Sequence, residues 1–275
     1  MGWSAALELG FAAERGMTRL AHRAHRGPFV VQRAFLPEGP DLCHVYLLHP
    51  PGGLVGGDEL RLDLRVGVGA RALVTTPAAG KAYRTTGPTA RQAHTLAVEA
   101  NGTLEWLPQE TIVYHGARVE LETRIDLGPG ARFFGAETIC FGLPAREEPF
   151  ERGWCRQVFE LTRDGHPIFI ERGRFDGGAP VHQASWGLGG ATVLALAVAT
   201  PAPEAAALAE LSTLLAAIPE ADRAAATLVG LDDVLVVRYL SPSAERARLF
   251  TQATWRLLRP SLFGRPAVAP RIWAT

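Results

Sequence analysis

The 275-residue sequence predicts a mainly β chain, with strand layers stacked along a β-helical path and two α-helices near the C-terminus. Three observations point there. Short strand-like runs recur between Gly/Pro turns. A degenerate repeat of strand, Gly-containing turn and strand runs through the middle of the chain, with no helix between its copies. Helical start and stop signals come only after residue 200.

The first strands are expected at 5–12, 17–22 and 29–35, separated by Glu14-Arg15-Gly16 and Arg26-Gly27-Pro28. Runs at 45–48 and 60–66 then flank the stretch His49-Pro50-Pro51-Gly52-Gly53-Leu54-Val55-Gly56-Gly57-Asp58. Proline fixes φ there and glycine opens φ > 0, so the path of this loop is set residue by residue. It reads either as a tight connection or as a binding loop that aims Asp58 at a partner. The repeat occupies 62–74, 95–107 and 124–134, and aligning Gly69, Gly102 and Gly130 spaces its copies 33 and 28 residues apart. Strands follow at 154–162 and 167–173 around Asp164-Gly165, a two-residue hairpin signal, and another at 191–199.

Alanine and leucine dominate 203–218, the first expected helix, which Pro219 ends. A strand pair, 224–231 and 234–240, turns at Asp232-Asp233. The second helix is expected to start with Ser241 as N-cap and Pro242 at its first position, to present an apolar face through Ala247, Phe250, Thr251, Thr254, Leu257 and Leu258, and to stop at Pro260. One domain over 1–275 results: a β core to about residue 200, a helix–strand pair–helix segment over 201–260, and a Pro-rich tail over 261–275.

A hydrophobic fraction of 47% is ample for a core, and a net charge of zero gives no global field for nucleic acid or an anionic membrane. Cys43, Cys140 and Cys155 form no C-x-x-C pair, and the N-terminus has no basic-then-apolar leader, so a cytoplasmic location is expected. Lys81 is the only lysine, which hints at a role for a compact ammonium.

Most familiar chemistry is excluded by spacing. Gly52-x₄-Gly57 has P-loop spacing, but Asp58-Glu59 would repel phosphate. Gly67-Val68-Gly69 cannot serve a dinucleotide, because a β-branched run ending in Pro77 follows instead of a helix. No G-x-S-x-G occurs, and His22-x₂-His25 lies among arginines, as in a solvated basic turn. Acidic residues remain: Asp58, and Glu137 and Glu171 within or beside apolar strands. Carboxylates in such surroundings are paired, hydrated or coordinating.

Three stretches carry a family resemblance. They are 47–58 (Leu-Leu-His-Pro-Pro-Gly-Gly-Leu-Val-Gly-Gly-Asp), 73–84 (Leu-Val-Thr-Thr-Pro-Ala-Ala-Gly-Lys-Ala-Tyr-Arg) and 105–112 (Glu-Trp-Leu-Pro-Gln-Glu-Thr-Ile). With Arg156-Gln157 and Ile170-Glu171-Arg172 they resemble the urease accessory proteins called UreD, or UreH in some species. The resemblance implies a mostly β, β-helical fold and a non-enzymatic maturation factor that binds UreF, reaches the GTPase UreG through it, and docks on apo-urease. It implies nickel in transit and no tightly bound cofactor. Asp58 matches the acidic end of the family's glycine motif and is expected along the nickel path, Glu137 and Glu171 match acidic positions proposed to line that route, and Lys81, Tyr83 and Arg84 match a signature of unassigned role. Oxygen ligands suit transit, since they hold a divalent ion weakly where a Cys/His cage would trap it. A pure assembly adaptor, which reshapes apo-urease without carrying nickel, is the alternative.

Overall fold

The computed structural model describes residues 2–230 and 233–274. The chain opens with an antiparallel pair, β1 (Ser4–Glu14) and β2 (Met17–Arg26), then a short β3 (Val30–Val31) against β4 (Cys43–Leu48). From β4 onward it winds. β5 (Glu59–Val66) runs on one side, β6 (Arg71–Thr75) on the other, and β7 (Gly80–Ala82) closes the circuit. β8 (Ala90–Val98), β9 (Thr103–Leu107) and β10 (Thr111–Val113) repeat it, and β11 (Arg118–Leu127) and β12 (Arg132–Phe141) repeat it again. Equivalent strands pair in parallel, β5 with β8 and β8 with β11, and β6 with β9 and β9 with β12. This is the β-helical path that the repeat predicts.

The register corrects the repeat by one residue. Arg71 stands opposite Thr103 and Thr103 opposite Arg132, so the coils are 32 and 29 residues long rather than 33 and 28. The equivalent corner positions are therefore Gly69, Asn101 and Gly130, all left-handed, with φ of 65°, 55° and 68°. Asparagine tolerates that region better than most side chains, so the middle corner carries no glycine there.

Strand alternation explains the interior. In β5 the residues Leu60, Leu62, Leu64 and Val66 point inward and are buried, while Arg61, Asp63 and Arg65 face water. The outer face carries a ladder of ion pairs, such as Arg91–Glu120 and Glu120–Arg156, which keeps that face solvated. β13 (Trp154–Arg163) adds to this sheet in parallel and β14 (His166–Asp176) returns antiparallel through Asp164-Gly165, whose φ values of 49° and 75° suit the expected hairpin turn. The sheet has seven strands in the order β14-β13-β11-β8-β5-β1-β2.

The facing sheet continues from β12 through β15 (Val193–Thr200), β17 (Val234–Ser241) and β16 (Arg223–Val229). Every residue of β15 is buried, because α1 (Ala205–Ala216) and α2 (Ala244–Phe263) cover the outer face of this sheet as the other sheet covers its inner face. Strands buried on both faces read as continuous apolar runs, so 193–199 never alternates. Within the expected 224–231 and 234–240 pair, Leu231 and Asp232 lie outside the described residues. Among the described residues, no helix is long and apolar enough to cross a membrane.

Both ends expected for the second helix are corrected. Its N-cap is Ser243, whose hydroxyl accepts from the Arg246 N–H. Ser241 instead ends β17, buried, with its hydroxyl donating to Asp222. Pro260 does not stop the helix but sits inside its last turn, and Gly264, at φ 67°, caps it. A proline so near the end forfeits a single backbone bond, and burial of the flanking Leu258 and Leu262 holds the turn. The C-terminal tail docks: Trp273 donates from Nε1 to the Thr75 hydroxyl at 2.8 Å and packs edge-on against Trp255.

Candidate functional site

The glycine loop and the Lys81-Tyr83-Arg84 signature form one structural unit. The N–H of Leu54 donates to the Lys81 carbonyl at 2.7 Å, and the N–H of Tyr83 to the Leu54 carbonyl at 2.8 Å, so the loop pairs with β7. A Cβ on Gly53 would stand 2.5 Å from the Tyr83 ring and 2.9 Å from Lys81, which requires glycine there. Tyr83 packs on Tyr114, and Arg84 bridges to Ala117 of the next coil. Tyr83 and Arg84 are therefore positioned to hold coils together. Lys81 is different. It lines a cavity of about 180 Å³ beneath the loop and has no ion pair among the described residues.

That cavity is walled by His49, Gly53, Gln92, His94, Trp106 and Gln109, among others. Two smaller cavities adjoin it. One, of about 30 Å³, is lined by Glu137, Thr123 and His94; another of about 30 Å³ reaches Glu110, Gln252 and Trp273 beneath α2. Pro108 and Gln109 line all three, so a line of cavities runs from the glycine loop into the coil stack and out toward α2.

Glu137 points inward from β12 among Phe133, Ile139 and Phe141. Its Oε1 accepts from Trp106 Nε1 at 3.0 Å and from the Thr123 hydroxyl at 2.6 Å, while its Oε2 has no protein partner among the described residues. With the Thr123 proton given to Glu137, Thr123 must accept from His94 Nδ1 at 3.0 Å, and His94 Nε2 accepts from the Gln92 amide at 3.2 Å. The chain Gln92–His94–Thr123–Glu137 thus fixes a neutral imidazole. Burial holds the His94 pKa down at about 4. Burial also raises the Glu137 pKa, against the hydrogen bonds from Thr123 and Trp106.

The sign of the pH dependence follows. His94 has a lower pKa folded than unfolded, so its contribution is complete above its ordinary value of 6.5 and is lost as pH falls toward 4. Glu137, shifted upward, works the other way and loses stability as pH rises. Between pH 7 and 5 the His94 share is about 2 kcal/mol. Urea unfolding at the two values checks it: the wild-type chain loses stability toward pH 5, and His94→Gln has a flatter profile.

The three predicted acidic residues do not converge. Asp58 is buried, and its carboxylate accepts from the backbone N–H groups of Trp3 (3.1 Å) and Val55 (2.9 Å), tying the loop to the N-terminal strand. Its charge nevertheless faces His49, whose pKa burial lowers and Asp58 raises. Glu171 lies on β14 and accepts a forked bond from Arg238 of β17, linking the two sheets at their open edge. Of these three, only Glu137 presents a free carboxylate oxygen to a cavity. Among the described residues, no group of three His, Cys, Asp or Glu side chains is placed to hold a metal ion, and the three cysteines are free and buried.

Sequence reasoning missed Gln92, His94, Thr123 and Trp106. The signal was present. Alternation places Gln92 and His94 with Leu96 and Val98 on the inward face of β8, and Thr123 inward on β11. Polar residues at core positions of alternating strands call for partners or function.

The family model described as "UreD urease accessory protein" matches residues 4–274. A protein of Dechloromonas aromatica named urease accessory protein UreD is 46% identical over 274 residues, covering 99% of this chain and 95% of that protein. Proteins of the same name from an Azoarcus species and from Pseudomonas putida are each 44% identical, covering 100% of this chain and 95% of theirs.

Proposed function

The chain belongs to the UreD family of urease accessory proteins, and on that membership we propose that it is a non-catalytic scaffold and nickel conduit in urease maturation. In this reading it joins UreF, and through UreF the GTPase UreG, to apo-urease, in the cytoplasm. The observation that carries the conduit is the free Oε2 of Glu137 on a line of three cavities that meet at Pro108 and Gln109.

Carboxylate, amide and hydroxyl oxygens along the line offer a divalent ion exchangeable ligands, and the neutral His94 adds no repelling charge. Glu137 is the principal carrier. Asp58 acts mainly by holding the loop that roofs the first cavity of the line, and joins the route only by exchanging backbone donors for the ion. Glu171 joins it only on releasing Arg238. The adaptor reading draws on the same membership, since the ion-paired outer sheet face and docked helices also make a rigid scaffold.

Equilibrium dialysis of the chain in complex with UreF separates the two. The conduit predicts saturable nickel binding at micromolar metal that Glu137→Gln abolishes. No binding in any assembly state would favour the adaptor.

A further inference from the structure

A cavity of about 470 Å³, which shares no lining residue with the line of three, lies where the coil corners meet the C-terminal end of α2. Its floor is the row Arg71, Thr103 and Arg132, which are direct neighbours in the parallel ladder of β6, β9 and β12. The corner residues Asn101 and Gly130 edge it, and Arg265 closes it from just beyond the cap of α2. Three guanidinium groups therefore converge on one space.

The charge nearby does not balance them. Asp41 is shared, accepting from Arg71 at 3.1 Å and from Arg265 at 2.5 Å. Glu105, the only carboxylate in the lining, has both oxygens engaged by Arg259 and Trp255. Among the described residues, the Arg132 guanidinium donates to the Leu262 carbonyl and meets no carboxylate. Nη1 of Arg265 is buried with no hydrogen-bond partner among the described residues, an unmet donor of the kind native structures rarely retain. The C-terminal partial charge of α2 opposes an anion here, and offsetting it requires just such a surplus of cations.

We propose that this cavity binds a small phosphate-class oxyanion. Guanidinium forks engage such oxyanions through paired hydrogen bonds, and three forks, two from the floor and one from beyond α2, suit a tetrahedral anion better than a planar carboxylate. The volume lies within the range of small-molecule sites and leaves room for an organic body behind the anionic group. The site is independent of nickel passage.

Calorimetric titration of the purified protein with inorganic phosphate tests it. Saturable one-to-one binding is expected, with sulfate competing and acetate not. Arg265→Gln weakens binding at least about tenfold. Asp41→Asn has the opposite effect and tightens it, because Arg71 and Arg265 lose their internal competitor, an outcome that misfolding does not imitate. Absence of saturable binding, equal competition by acetate, or weaker binding in Asp41→Asn would each overturn the assignment.

Discussion

Arg259→Ala is expected to destabilise the chain by about 3–5 kcal/mol, the range for removing one partner from a buried ion pair. Arg259 is fully buried. Its guanidinium donates to Glu105 through Nε at 2.8 Å and Nη2 at 3.0 Å, and to Glu38 through Nη1 at 2.7 Å and Nη2 at 2.8 Å. Nη1 also reaches the Pro266 carbonyl, so the same residue anchors the tail. Burial alone would raise the Glu38 pKa, but hydrogen bonds from His44 and Arg259 bring it down to about 2. Removing Arg259 leaves two buried carboxylates facing each other. Thermal unfolding should show a fall of about 6–20 °C, at roughly 2–4 °C per kcal/mol. The triple change Arg259→Met, Glu38→Gln, Glu105→Gln should recover much of it, because the cost lies in the uncompensated charges. An unchanged melting temperature in Arg259→Ala would refute this description of how α2 is held.

Glu137→Gln should separate stability from function. Glutamine keeps an acceptor for Trp106 and Thr123 while removing a buried charge that burial disfavours. Unfolding free energy at neutral pH should be unchanged or raised by about 1 kcal/mol. Nickel incorporation into urease should fall at least about tenfold, since a neutral amide oxygen holds a divalent ion more weakly than a carboxylate. Metal content of urease matured with the variant, alongside urea unfolding of the variant itself, reads both quantities. A loss of stability matching the loss of nickel would make Glu137 a structural residue only.

Much of this architecture was legible in the sequence because its signals are local. The alternation of 59–66 dictates an inward leucine row, Asp164-Gly165 dictates a tight hairpin, and the strand–turn–strand repeat dictates stacked coils. What escaped depends on contacts distant in the chain. Nothing local marks Arg259 of the second helix as buried; Glu38, from the loop before β4, and Glu105 of β9 meet it only in the fold. Pro260 reads as a helix stop until burial of its neighbours outweighs the lost hydrogen bond. The same limit applies to the site. Asp58, Glu137 and Glu171 stand out locally as carboxylates in apolar or glycine-rich surroundings, yet only the fold shows that two of them are occupied by Trp3, Val55 and Arg238. The polar chain from Gln92 to Glu137 draws residues from β8, β11 and β12, and no single stretch carries it.

The central claim is that nickel passes through the line of cavities meeting at Gln109. Gln109 follows β9 in a partly exposed connection, so a larger side chain there can fill the junction without entering a strand. The direct measurement is the nickel content of urease matured with Gln109→Trp, in samples where the variant still co-elutes with UreF and apo-urease. The conduit predicts nickel near the level found without any accessory protein. Full nickel occupancy with the junction plugged would contradict it.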